Sequence, residues 1–455
     1  VRIHRHLYIF YSFVFLLNVI HVFRPDTVLY TVIGVLGIVM VIINFPWADR
    51  VFKILGGILL TAGTFFFISS GVSAAKIPAF FAGNIGLLFL ISMLPWMNSV
   101  VKAGRYNQLL QSLLGGSGTK PLGPLYVRSE ATMVSLAAFL NLSSATISQD
   151  LLLNQLKTLK TQVRNSFIAM ATLRGYSMAL LWSPLEILLA TSIFITGANY
   201  LAVLPWMLLI GIFAFVIDAG MSKWLFHKYE VEVPESNAKS LKENKKKLAG
   251  FLLALILFLV VVVFFVNVIQ FEFLFAVTIA IFPFAFIWAV AMKRQKSFLK
   301  LGWPTWKKQT NHLSNFIVLL VALSFLTESL NVSPYLKVLQ DPIVALEGQP
   351  LLIMLFIQAA FLGMTLLGVH PLATMGIFGG ISELLMGALP TVTLTILLST
   401  SAIATVPSAP YGLIVTLTSV ALRMNPYRIV WKNLPYSLLL GFLGVIVALI
   451  TMKVY

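Results

Sequence analysis

The chain has 455 residues, 59% of them hydrophobic and only 10% charged, with a mean hydropathy of +0.94. That balance excludes an ordinary soluble domain and a disordered chain, and it implies a polytopic membrane protein. A net charge of +17 would point to nucleic acid in a soluble chain, but here the basic residues sit in loops and no nucleic-acid partner is expected; the absence of cysteine excludes disulfides, thiolate metal sites and cysteine nucleophiles.

In chain order, apolar runs predict spans at 7–23, 28–45, 51–70 and 79–97. The first follows a basic start and is expected to be a retained signal anchor, and Val1 in place of Met suggests an alternative start codon or a trimmed terminus. A polar, amphipathic linker follows at 98–127. A helical hairpin is expected at 129–158, turning near Asn141, Leu142, Ser143 and Ser144. The run 163–195 is apolar with a polar centre containing Pro184 and reads as a discontinuous helix; a span at 200–220 closes the first half. The linker 221–247 carries Lys245, Lys246 and Lys247, suited to anionic lipid. Spans at 248–268, 272–292 and 313–331 come next, followed by an outside segment at 332–349. A second hairpin is expected at 350–388, turning between Gly363 and Pro371.

The run 391–423 organises the rest. It is long and apolar enough to cross a bilayer, yet Pro407 and Pro410 remove two helix donors at its centre. Backbone freed at membrane depth is tolerated only where it is buried in protein or lines a watery cavity. A second broken helix is therefore expected at 391–421, and a last helix at 434–452.

The two broken runs share short patterns, and each has an Ala-Ala-Phe-Leu segment upstream. The spacing is 44 residues from Phe139 to Ser183 and 47 from Phe361 to Ser408, which favours an internal repeat. With the N-terminus in the cytoplasm and both hairpins re-entrant, 27 of the 32 Lys and Arg fall on the cytoplasmic side and four outside. That asymmetry matches the positive-inside rule. The fold expected is all-α, with about 11 transmembrane helices and two opposed re-entrant hairpins in two inverted repeats. The divisions are 1–27, an extra helix; 28–220, the first repeat; 221–247, a cytoplasmic linker; and 248–455, the second repeat.

An extra first helix, two opposed hairpins and two broken helices resemble the ion transporter superfamily, which includes divalent anion:sodium symporters and arsenite and sodium/proton carriers. The C-terminal run NPYRIVWKNLPYSLLLGFLGVIVALI is similar to the end of such carriers. The resemblance implies a bacterial plasma-membrane transporter that moves one part against a scaffold, often as a homodimer. The symporters carry Ser-Asn-Thr signatures at the hairpin tips, whereas this chain has Asn141-Leu142-Ser143-Ser144 and Gly363-Met364-Thr365.

Arg174 is the one basic residue placed within a span, suited to docking an anion or to pairing with Glu186 or Asp150. Glu186 and Glu383 are read as the deepest carboxylates and, with His370, as candidates for coupling transport to a proton. Hydroxyls at Ser143, Ser144, Thr146, Ser177, Ser183, Thr365, Ser399, Thr400, Ser401, Thr405 and Ser408 supply neutral donors and acceptors for a solute at the breaks. The expected function is secondary active transport of a small carboxylate or oxyanion by alternating access, coupled to H+ or Na+, without enzymatic activity or a cofactor. Its partners are the solute and membrane lipid. The alternative is a membrane-embedded enzyme or flippase-like protein handling a lipid-linked substrate. No HExxH zinc pair or GxxxxGK[ST] phosphate loop occurs.

Overall fold

The computed structural model describes residues 6–106, 118–233, 241–336 and 348–455. The centre of the linker 98–127, part of 221–247 and most of 332–349 lie outside the described residues. Among the described residues there are twenty α-helices: α1 (Leu7–Phe23), α2 (Thr27–Asn44), α3 (Arg50–Ser70), α4 (Ile77–Phe80), α5 (Ile85–Ala103), α6 (Leu122–Leu140), α7 (Leu142–Gln155), α8 (Thr161–Leu180), α9 (Ile187–Thr196) and α10 (Tyr200–Leu225) precede the second linker. After it come α11 (Leu241–Asn267), α12 (Phe273–Ala291), α13 (Gln295–Asn311), α14 (Ser314–Asn331), α15 (Pro350–Leu366), α16 (Pro371–Gly379), α17 (Ser382–Ala388), α18 (Thr391–Thr405), α19 (Leu413–Leu422) and α20 (Pro426–Thr451).

Among the described residues, nine helical segments are long and apolar enough to cross a membrane, or ten if α16 and α17, bent by 73°, count as one span. The chain is thus all-α with transmembrane character. Exposed side chains such as Phe13, Ile42, Ile58, Phe213 and Phe264 give these helices apolar outer faces, as lipid contact requires. Among the described residues the strands form one short ribbon: β1 (Gly118–Pro121) pairs antiparallel with β2 (Glu230–Val233), Gly118 opposite Val233. It ties the two linkers together; β2, Glu-Val-Glu-Val, alternates polar and apolar residues over only four positions, and β1, Gly-Thr-Lys-Pro, does not alternate.

The helices pack as two groups. In one, α3 lies along α14, α5 along α12 and α13, and α2 against α4 and α14. In the other, α6 lies along α8, α18 along α20, and α15 along α18. The groups meet where α9 packs on α5 and α12, and α16 on α14. The helix α13 was not anticipated from the sequence. It is amphipathic, burying Phe298, Gly302 and Thr310 while Lys296, Lys300 and Lys308 stay exposed.

The core of the second group is close-packed and polar in places. Gly175 of α8 lets the backbones of α6 and α8 approach: a Cβ there would stand 2.7 Å from Met133 Cβ and 2.9 Å from the Glu130 carbonyl oxygen. Small residues serve this purpose in membrane helices, where packing rather than water exclusion drives association.

Candidate functional site

Two helical runs of the second group are interrupted near their middles. α8 stops at Leu180 and the chain is non-helical over 181–186, where Pro184 has no amide hydrogen and disfavours helix in the residue before it. Glu186 restarts the helix as N-cap of α9, its carboxylate accepting from the Leu188 amide at 3.4 Å. In the second run, α18 tightens into a 3-10 turn at Val406–Ser408, Ala409 is extended, and Gly412 caps α19.

Each break meets a hairpin tip. α6 and α7 turn at Asn141, whose backbone (φ 47°, ψ −137°) is one that side-chain-bearing residues rarely adopt. Its Oδ1 accepts from the Leu142 amide at 2.7 Å and from the Tyr176 hydroxyl at 2.5 Å, while Ser183 in the break donates to the Ala138 carbonyl at 2.9 Å. In the second hairpin, α15 and α16 turn over 367–370. Gly368 there has φ 95°, and a Cβ would stand 3.0 Å from the Tyr411 ring in the second break. His370 caps α16 by accepting from the Leu372 amide at Nδ1, 3.2 Å away, which leaves the ring proton of the neutral imidazole on Nε2.

The two halves also interlock. The turn Val406–Ser408 packs on α8, α9 on α18, α7 on α19, and α16 on α9. Gln149 of α7 fastens this crossing by donating to Thr172 of α8 at 3.1 Å and Thr418 of α19 at 2.8 Å.

The hydroxyls expected at the site fall into two sets. Ser144 donates to the Asn141 carbonyl, Thr146 to that of Ser143, Thr405 to Ala402 and Ser408 to Thr405, so each closes a local turn. Ser177 donates to the Arg174 carbonyl and lies 3.0 Å from the Tyr436 hydroxyl; Thr400 contacts the Met207 sulfur. Ser143 is half-buried at the start of α7. By contrast Thr365, Ser399 and Ser401, together with Thr374 and Gln358, are shielded from solvent and use no hydrogen bond among the described residues. Groups of this kind are expected to find a partner, and these lie on α15, α16 and α18, around the second hairpin.

Arg174 is buried, and each of its three nitrogens has a protein acceptor. Its Nη1 donates to Asp218 Oδ1 at 2.5 Å, Nε to Asn433 Oδ1 at 3.1 Å and Nη2 to the Lys432 carbonyl at 2.7 Å. Tyr126 donates to the other Asp218 oxygen at 2.9 Å. Neither carboxylate proposed from sequence as its partner is the one used, because α10 runs beside α6 and α20 and brings Asp218 to it. Glu130 of α6 completes the cluster, fully buried and facing Asp218.

The expected ranking of deep carboxylates is corrected in one place. Glu186 is buried at the first break, but Glu383 is exposed on the first turn of α17. Glu130 and Asp218 are the carboxylates that sequence reasoning missed. Asp218 had a signal, since it interrupts the apolar run FAFVIDAG; Glu130 lies in the polar sequence VRSEAT, where nothing marks it as buried.

A recess of about 190 Å³ lies between the two helix groups, with Asn84, Thr191, Ser324 and Glu328 among its lining residues. A larger one, about 930 Å³, is lined by Asp49, Lys307, Lys308 and His312 and includes none of the tip or break residues. Among the described residues no group of three His, Asp or Glu side chains is arranged to hold a metal ion. No protein-family model matches the chain, and no curated protein matches its sequence.

Proposed function

We propose that this protein is a secondary active transporter of a small anion, working by alternating access in the manner of the ion transporter superfamily. The observation that carries the reading is the meeting of each hairpin tip with the break of the helix that follows it, in both halves of the chain. Broken helices near the middle of a bundle present half-helix N-termini to anions and free carbonyls to cations. The arrangement proposed has about 11 spans and two re-entrant hairpins, α6–α7 entering from the cytoplasm and α15–α17 from outside. The repeats are 28–220 and 248–455, and the N-terminus is in the cytoplasm of a plasma membrane.

The solute site in this proposal is built from tips and breaks, with Thr365, Ser399 and Ser401 supplying free hydroxyls. Arg174 is placed outside the solute site in this proposal, since each of its three nitrogens already donates to a protein acceptor. The buried carboxylates favour H+ over Na+ as the coupling ion. Uptake and current in proteoliposomes, screened over carboxylates and oxyanions under separate sodium and proton gradients, test the function. The proposal predicts gradient-driven flux of at least one anion, reduced about tenfold or more by Ser399→Ala with Ser401→Ala. Absence of flux for every anion in folded protein would overturn it.

A further inference from the structure

The cluster around Arg174 holds two carboxylates and one guanidinium, all buried. Each oxygen of Asp218 accepts one hydrogen bond, from Arg174 and from Tyr126, which leaves acceptor capacity on both. Glu130 differs: neither of its oxygens accepts a hydrogen bond among the described residues, although it lies one helical turn after Tyr126, the residue of α6 that is bonded to Asp218. Two ionised carboxylates are both acceptors and cannot bond to each other. A proton between them allows a hydrogen bond and leaves the cluster with one negative and one positive charge. The other groups facing it are neutral: Tyr126 from α6, Asn433 and Tyr436 from α20, and the Lys432 carbonyl. Among the described residues, Arg174 is the cation bonded to it.

We infer that Glu130 and Asp218 hold one proton between them beside Arg174, and that this pair is the site at which the protein loads and releases its coupling proton. The role in coupling rests on the transport reading above; the shared proton does not. The helices concerned suit such a role. α6 is the first arm of the hairpin whose tip meets the first break, and α8 leads directly into that break. Loss of the proton places two negative charges side by side in a dry site, so Glu130 is driven to seek water or a new partner. The tight seam at Gly175 ties any displacement of Glu130 to α8. A metal cation is the less suitable occupant, because Arg174 already fills the positive position next to Asp218.

Infrared spectroscopy of the purified full chain tests the proton directly. The carboxylic C=O stretch of a protonated, buried acid is expected at neutral pH, shifted in deuterated water and lost in Glu130→Gln, whose amide mimics the protonated acid. If that variant does not purify folded, Glu186→Gln with carboxyl-labelled glutamate leaves Glu130 as the buried glutamate that reports. Absence of the band, or its persistence unchanged in Glu130→Gln, overturns the shared proton. In proteoliposomes, Glu130→Gln is expected to exchange solute while losing its response to a pH gradient; an unchanged response overturns the coupling role. A Glu130 band in a protein that moves no anion would uphold the proton site and refute the transport reading, which separates the two failures.

Discussion

Arg174 lies buried in α8 and bonds to Asp218 of α10. That a guanidinium inside a span needs a partner follows from the cost of burying it, and the partner exists. Its identity depends on which helices lie side by side, and Asp218 is 44 residues away. The ion pair gives a firm expectation. Arg174→Ala leaves Asp218 buried without its cation, a loss of about 3–5 kcal/mol for a pair broken on one side. Thermal unfolding in detergent should show a large drop in midpoint. Replacing both partners by apolar residues of similar size is expected to recover most of it. A single mutant as stable as the parent would show that the pair is dispensable. For the same reason loss of transport in Arg174→Ala is no evidence of solute contact. The free hydroxyls of Ser399 and Ser401 were legible as members of a polar cluster, but the sequence held no sign that they, rather than Thr405 or Ser408, are left unpartnered.

Among the elements, long apolar helices were the most legible part of the chain, and the breaks came next. The span expected at 7–23 is helical over those same residues, and the breaks fall at Pro184 and Pro407, where proline removes a helix donor and polar neighbours surround it, whereas Pro95, Pro205, Pro283, Pro304 and Pro435 are carried inside continuous helices. The first hairpin turns at Asn141, within the tetrapeptide expected. The second turns over 367–370, inside the window from Gly363 to Pro371. The ribbon of β1 and β2 and the helix α13 were not legible, since the ribbon depends on bringing two distant linkers together and α13 lies in a stretch rich in lysine that reads as loop. The re-entrant reading of the hairpins makes a prediction at this scale. The chain has no cysteine, so single cysteines report without background. Cysteines at Lys120 and Lys160, flanking α6–α7, should label from the same face of the membrane, and cysteines at Gln349 and Pro390, flanking α15–α17, from the opposite face. Labelling of either flanking pair from two different faces would make that hairpin a full crossing and invert everything after it.

For the whole molecule, the position of the tips bears on mechanism. In the proposed orientation α3 and α14 begin at the cytoplasm, and the His370 ring lies 6.2 Å from Phe52 and 6.3 Å from Phe316, at the first turns of those helices. Phe139, just before the first tip, contacts Phe251 and Trp288 toward the cytoplasmic ends of their helices and Phe258 at the middle of α11. In that orientation the second tip lies toward the cytoplasm, which the proposed mechanism takes as the inward position of a transport part against a scaffold of α2–α5 and α12–α14. Outward exposure requires the group containing both hairpins to slide along α5, α12 and α14, the helices it touches. Neither this displacement nor the cluster around Glu130 could be read from the sequence, since both depend on the depth at which separate helices meet.

Alternating access is the central claim, and the second break is the place to test it. A single cysteine at Ala409, buried between Pro407 and Pro410, would be probed with a membrane-impermeant thiol reagent in vesicles of each orientation under opposed proton gradients. The account predicts reaction from both faces, with the cytoplasmic rate higher at rest and the ratio shifting when the gradient is reversed. Reaction from one face alone under every gradient, in folded protein, would contradict it.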